Sequence, residues 1–301
     1  MSESVFVLDG YEALGTRWFI EVFQNVTPSI KEAMSNELIE YIEDFQKKYS
    51  RFDTSSLLST LNREKKVPYD FHLAKMLTLA QDMHVRTRGI FNIYIEKDLI
   101  NKGYGARHEE VPTDIDSLDG SHEKEFFFSL NDHDIILHGD TSIDLGGIGK
   151  GYCIDLLSGM LKEQGIEQFL INGGGDMYMT NNQGKGIEVY LQHPKKKDIL
   201  IGKMVLINKA FCSSSSYTRA WEHDGILKNH FITPTNEEVW AASFVVGDNA
   251  CTSDMMATVL CITSDDKELS YTLARDTGLE FLVENKQKEF FGDLFPRISM
   301  C

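Results

Sequence analysis

The sequence predicts an α+β fold of the mixed α/β kind, with no internal boundary across residues 1–301 and a helical part at about 29–105. Three observations carry this. Several stretches place apolar residues at helical spacing, short apolar runs bounded by glycine and asparagine alternate with them, and no repeat, low-complexity tract or proline-rich linker divides the chain.

The elements follow in order. Trp18 to Phe23 alternate as a strand does. From Ser29 to Tyr49, Ile30, Met34, Leu38, Ile42 and Phe45 recur at helical spacing. SRFDTSSLLSTLN, from Ser50, is rich in capping and turn residues. His72 to Thr87 forms an amphipathic helix through Leu73, Met76, Leu77, Ala80 and Met83, and Gly89 ends it. Residues 106–141 carry strand and turn signals, with strands at Phe126–Phe128 and Ile135–Leu137. Ile143 and Leu145 alternate until Gly146 and Gly147 break the strand, and Ile148, Tyr152, Leu156 and Met160 then mark a helix. Phe169 to Ile171 is a buried strand that runs into NGGGD. Strands follow at Ile187–Leu191, Met204–Ile207 and Ser243–Gly247. TSDMMATVLCIT reads as a helix capped by Thr252 or Ser253. A last helix, Lys267–Arg275, precedes the strand Leu279–Val283.

Composition excludes several classes. With 42% hydrophobic residues in 301, the chain can bury a sizeable core, and 25% charged residues argue against wholesale disorder. A net charge of -16 repels a nucleic-acid backbone. The one dense basic run, Lys195-Lys196-Lys197, follows Pro194 and reads as a solvated turn. Cys153, Cys212, Cys251, Cys261 and Cys301 form no C-x-x-C pair, which excludes a thiolate zinc site and a disulfide framework and suits a reducing compartment. The N-terminus shows no secretory leader and no stretch spans a bilayer, so a cytoplasmic location is expected.

Four features carry chemistry. NGGGD, Asn172 to Asp176, offers bare backbone N–H groups and positive φ after a buried strand, which suits a phosphate, though a hairpin turn is the plainer reading. Its spacing matches neither a dinucleotide-binding fingerprint nor a P-loop. Asp254 and Thr258 stand at i, i+4, a carboxylate and a hydroxyl on one helical face. Both are hard oxygen ligands of the kind Mg2+ takes, and Thr258 equally suits a bond to a helix carbonyl. His230, in NHFITPTN, is either a general base or a hydrogen-bonded histidine at a strand end. Ser213 to Ser216, with Tyr217 and Arg219, can contact phosphate, although a serine run more often forms a loop.

In this order, ALGTRW, SRFDTSSLLSTLN, GIFN, DLGGIGKGY, NGGGD, SSSSYTR, HFITP and TSDMMAT resemble the FAD:protein FMN transferases, the ApbE flavin-transferase family, from about Leu14 to Leu260. The resemblance implies an ApbE-like core of the T-fold type with an added helical part. It implies that FAD binds with Mg2+ at its diphosphate, that FMN passes as a phosphoester to a Thr or Ser of an acceptor protein, and that AMP leaves. It places Asp254, Thr258 and the Gly149 carbonyl on the metal and makes His230 the base. Leu14, Phe52, Ile90, Phe91, Asn92, Gly146, Tyr152 and Ile232 fall where the family lines its FAD site. Asn172, Gly173, Gly174, Gly175, Asp176, Tyr217 and Arg219 lie at the pocket by the same carry-over. The sequence departs from the family at Leu14, at Asn92 (for aspartate), at Gly149, at Ser215 (for glycine) and at Thr233. The last two adjoin the base and bear on whether water or a protein hydroxyl receives FMN. An FAD pyrophosphatase and a non-catalytic FAD-binding protein are the alternatives. The acceptor implied is a cytosolic protein or a cytosol-facing domain with a Ser/Thr motif; neither a membrane segment nor nucleic acid is expected.

Overall fold

The computed structural model describes residues 5–104, 127–196, 198–223, 225–235, 237–294 and 299–300. β1 (Val5–Ala13) and β2 (Thr16–Val22) form an antiparallel hairpin across Leu14 and Gly15. Both turn residues have positive φ, +52° and +67°, which matches the strand twist and strains a leucine more than a glycine. α1 (Pro28–Tyr49) is capped by Thr27, whose hydroxyl accepts the Ile30 N–H. Met34, Leu38, Ile42 and Phe45 form its buried stripe, while Ile30 is exposed. The cap-rich segment after it contains α2 (Leu57–Glu64), which Ser56 caps and a left-handed Lys65 ends.

β3 (Lys66–Pro68) leads to α3 (Phe71–Arg86), where Asp70 accepts the Leu73 N–H, and then to α4 (Glu96–Asn101). β5 (Asp134–Leu137) pairs with both β3 and β4 (Phe128–Leu130) in a small sheet. β5 contains the expected strand Ile135–Leu137, while β4 shares only Phe128 with the expected Phe126–Phe128; Phe126 and residues 106–125 lie outside the described residues. α5 (Gly149–Glu163) starts at the glycine turn.

β6 (Gln168–Gly173) and β7 (Asp176–Asn181) form a second tight hairpin. β8 (Ile187–Gln192) and β9 (Leu200–Leu206) make a ribbon, with the Lys195-Lys196 part of the basic run on its turn and Lys197 outside the described residues. β10 (Lys209–Ser215) takes in most of the serine run, which is a strand and not the expected loop. Its serines pair with Phe244, Ser243 and Ala242 of β13, and β7 pairs only with Lys209–Phe211, so polar side chains do not prevent the strand. β11 (Ala220–His223) and β12 (Ile226–Asn229) form a separate two-stranded ribbon. β13 (Ala242–Gly247) precedes α6 (Ala250–Ile262). The cap of α6 is Asn249, which accepts the Thr252 N–H at 2.8 Å, and not Thr252 or Ser253. Ser253 instead donates its hydroxyl to the Asn249 carbonyl. α7 (Lys267–Thr277), β14 (Glu280–Glu284), β15 (Phe290–Phe291) and β16 (Ser299–Met300) complete the chain.

The main sheet has eight strands in the order β1-β2-β6-β7-β10-β13-β14-β15, every pair antiparallel. One face carries Trp18, Ile20, Phe169, Ile171, Cys212 and Val245 in a single apolar cluster with α1, α3, α5 and α6. The other carries Met177, Met179, Phe211, Phe244 and Val246 against Val189, Leu191, Met204 and Leu206 of the β8–β9 ribbon. Cys153, Cys212, Cys251 and Cys261 are buried free thiols.

The β6–β7 turn makes one stability prediction. Gly174 has φ +74°, and a Cβ there would fall 1.9 Å from Thr16 Oγ1. Gly175 has φ +98°, but its added Cβ would meet only Ser213 Oγ, at 3.6 Å. Gly174→Ala is therefore expected to lose about 2–4 kcal/mol in denaturant unfolding, combining left-handed strain with a clash, and Gly175→Ala about 1–2. Equal losses would remove the Thr16 contact from the explanation.

Candidate active site

The cavity opens where the β1–β2 turn, the α1–α2 loop, the glycine turn before α5, the β6–β7 turn and the start of α6 meet. An inner chamber of about 340 Å³ adjoins an outer one of about 650 Å³, and Gly15, Phe52, Tyr104, Asp144, Gly146, Lys150 and Arg219 line both. The inner chamber also takes Ile90, Phe91, Asn92, Gly174, Asp176, His230, Ile232, Asp254 and Thr258. Leu14 and Gly149 line the outer one. Thus most residues assigned to a site from sequence converge on one cleft.

The glycine turn is built for close approach. Asp144 Oδ1 accepts the Gly146 N–H at 2.7 Å, and a Cβ on Gly147 would press on Phe91 at 3.3 Å, with Thr258 Oγ1 at 3.6 Å. Two residues into α5, the Gly151 N–H donates to Asp254 Oδ2 at 2.9 Å. A Cβ on Gly151 would stand 2.5 Å from the Ala250 carbonyl, so only glycine lets the two helices come this near. In return, Asp155 of α5 accepts the N–H groups of Ala250 and Cys251 at the start of α6, at 2.8 and 2.9 Å. Burial raises the Asp155 carboxyl to about 6, against the pull of those two bonds.

Lys150 carries the main charge of the inner chamber. Its ammonium bonds Asp176 Oδ2 and lies 3.3 Å from Asp254 Oδ1. The Asp176 and Asp254 side chains are only 2% and 5% exposed. Burial pushes the Asp254 carboxyl up, and Lys150 pulls it back. Burial also opposes the Lys150 charge, but Asp176 and Asp254 outweigh it and hold the ammonium above its usual range. NGGGD is a hairpin turn, as its plainer reading held, with Gly173 paired to Asp176. Gly174 and Asp176 nonetheless face the cavity, and Asp176 Oδ1 accepts the Ser213 N–H at 2.9 Å.

His230 and Arg219 stand at the two feet of the β11–β12 ribbon. His230 packs on Phe231 at 4.5 Å between ring centres, and its buried Nδ1 has no hydrogen-bond partner among the described residues. Burial, then the charge of Arg219, lower it to about 4, so the imidazole is neutral near pH 7 and free to accept a proton. Tyr104 stacks on Trp221 and links this ribbon to Phe52.

Five assigned residues do not line the cavity. Tyr152 is buried, its hydroxyl 3.0 Å from His72 Nδ1, and its ring lies near Phe45. At helical spacing from Ile148, it follows the core face of α5. Asn172 turns its amide oxygen to the Gly175 N–H, and Gly173 packs on Trp18. Gly175 supplies turn geometry. Tyr217 stacks on Trp240 and donates its hydroxyl to the Trp240 carbonyl. The departures near the base have local uses: Ser215 Oγ accepts the Tyr217 N–H, and Thr233 donates to the Glu237 carbonyl.

Sequence reasoning missed three pieces. Arg51, nearly buried, pairs with Asp144, donates to the Tyr104 carbonyl at 2.9 Å and lies over the Phe52 ring at 4.1 Å. Thr16 and Tyr104 line the wall. The Lys150 pairing joins residues up to 104 positions apart. The only local signal was the lysine inside a glycine turn.

The donors suit a hard divalent cation. Asp254 lines the chamber, with one oxygen on a backbone N–H and the other 3.3 Å from the Lys150 ammonium. Thr258 Oγ1 has no partner among the described residues, so it is not spent on a helix carbonyl. A carboxylate beside an unspent hydroxyl is the chemistry Mg2+ accepts. Gly149 faces the outer chamber. Among the described residues no cluster of three or more His, Cys, Asp and Glu forms a metal cage, so a cation here would draw further ligands from substrate or water.

The ApbE family model matches residues 14–283. The FAD:protein FMN transferase of Escherichia coli (strain K12) is 24% identical over 309 residues, covering 95% of this chain and 86% of its own. The ApbE protein of Thermotoga maritima superposes with a TM-score of 0.82 at 20% identity, over 97% of each chain. The flavin transferase ApbE of Vibrio cholerae gives 0.79 at 18%, over 99% of each. Among the described residues no helix is long and apolar enough to cross a membrane.

Proposed function

The chain belongs to the ApbE family, and on that premise we propose that it cleaves FAD and joins the FMN moiety by a phosphoester to a Thr or Ser of an acceptor protein, releasing AMP. The observation that carries this reading is the shared chamber: His230, neutral near pH 7, lines the same space as Asp254, Thr258 and the Lys150 ammonium. Asp254 and Thr258 would hold Mg2+, with the Gly149 carbonyl as a third donor. The ion would neutralise charge on the diphosphate oxygens.

The chain's own groups do the rest. The turns at Gly146–Gly147 and Gly174 line the chamber with backbone, although the Gly146 and Gly174 N–H groups are already donated to Asp144 Oδ1 and the Arg17 carbonyl. Phe52, with Arg51 beneath it and Tyr104 beside it, offers a ring face at the junction of the two chambers for a flavin or adenine. Ile90, Phe91 and Ile232 supply apolar wall, and Asn92, in place of an aspartate, binds without adding charge. Arg219 lowers the proton affinity of His230 in the free protein. An anionic diphosphate beside Arg219 offsets that charge, so the imidazole becomes a stronger base when substrate is present. His230 then takes the proton of the acceptor hydroxyl as its oxygen attacks phosphorus, and AMP departs with the bridging oxygen.

The test combines purified protein, FAD, Mg2+ and an acceptor fragment bearing a Ser/Thr flavinylation motif. Acid-stable flavin on the acceptor, with an equal amount of AMP, is expected. Free FMN without protein-bound flavin would make it a pyrophosphatase, and bound FAD with neither product would make it a binding protein; either result overturns the reading.

A further inference from the structure

Lys150 is the feature that the reaction above leaves without a stated task. It sits in the first turn of α5, where the helix dipole disfavours a cation, so helix stability does not account for it. Its ammonium is shared by two buried carboxylates, and the three groups together carry one net negative charge. Each carboxylate has its other oxygen fixed by a backbone N–H, from Ser213 on Asp176 and from Gly151 on Asp254. The two contacts are unequal. Asp176 is closely bonded, whereas Asp254 lies at 3.3 and 3.4 Å. The side chain is 19% exposed and lines both chambers.

We propose that Lys150 is a tethered counter-ion, which balances Asp254 until a divalent cation arrives and then, still bonded to Asp176, gives its charge to the anionic ligand. This rests on the reading of Asp254 and Thr258 as cation donors. The physical reason is like-charge repulsion. A dication on Asp254 stands within a few ångströms of the ammonium, and in a low-dielectric chamber neither can ignore the other. The weaker contact gives way. Asp176 keeps the lysine from leaving, because its own buried charge would otherwise be unpaired. Lys150 is thus a positioning residue with opposite effects on two ligands: it opposes the cation alone and favours the anion once the cation is present.

Calorimetry on FAD-free protein titrated with Mg2+ tests this. Lys150→Met is expected to bind Mg2+ at least about tenfold more tightly than wild type, and, in saturating Mg2+, FAD about tenfold more weakly. Lys150→Arg keeps the charge and is expected to resemble wild type in both. General damage to the site would weaken both ligands, so the opposed signs separate the two causes. Unchanged or weaker Mg2+ binding by Lys150→Met overturns the proposal. If that variant does not fold, Lys150→Met combined with Asp176→Asn removes one charge of each sign; tighter Mg2+ binding is again expected, and an unchanged value overturns the proposal. Wild-type Mg2+ binding that Asp254→Asn leaves untouched removes the cation site itself, which is a failure of the underlying reading and not of the lysine alone.

Discussion

Asp254→Asn is expected to reduce Mg2+-dependent flavin transfer by on the order of a thousandfold or more, because it removes the one carboxylate that can hold the cation on α6. The change is nearly isosteric, and an amide oxygen can still accept the Gly151 N–H that now bonds Asp254 Oδ2. The α5–α6 contact should therefore persist, and thermal unfolding should report a protein that melts within a few degrees of wild type. Lys150 keeps Asp176 as its main partner, so no lone buried cation is created. Loss of activity with retained folding would assign the effect to the cation. Undiminished Mg2+-dependent turnover would remove Asp254 from that role.

His230→Ala is expected to lower the transfer rate by about 10²–10⁴-fold, the usual contribution of a positioned base, while FAD still binds. Apart from a backbone bond at Arg219, the side chain has its Nδ1 without a partner among the described residues, and its ring neighbours are Phe231 and Tyr104. A burst of AMP measured against bound FAD separates the two properties. Equal rates in variant and wild type would show that another group, or water, takes the proton. A loss confined to FAD affinity would make His230 a wall residue.

Much of the cleft was legible because glycine is informative where backbone must turn or come close. Gly174 and Asp176 adjoin two strands whose apolar patterns are strong, so turn and strand marked each other, whereas the strand expected at Ile143 and Leu145 before Gly146 and Gly147 is irregular backbone. Asp254 and Thr258 share a helical face, a relation that spacing reveals. What stayed hidden depends on distance along the chain. The Arg51–Asp144 and Lys150–Asp254 pairs join segments that no local period relates. β10 was obscured because its serines are unlike strand residues in isolation; pairing with β13 decides their state. α2 and α4, of 8 and 6 residues, are too short for a period to show. Tyr152 illustrates the reverse error. A residue next to a cavity motif in sequence follows its helix face into the core.

The exchange of carboxylates between α5 and α6 has a mechanical meaning. Asp254 of α6 is bonded to the backbone that opens α5, and Asp155 of α5 to the backbone that opens α6. These bonds close a loop of constraints through both helices, so neither can slide along the other without breaking two anchorages at once. The separation between the glycine turn and Asp254 is then a fixed gauge length, set by backbone rather than by rotamer choice. Asp155, which does not line either chamber, helps to hold that length, so the aperture presented to a ligand depends on a carboxylate the ligand never touches.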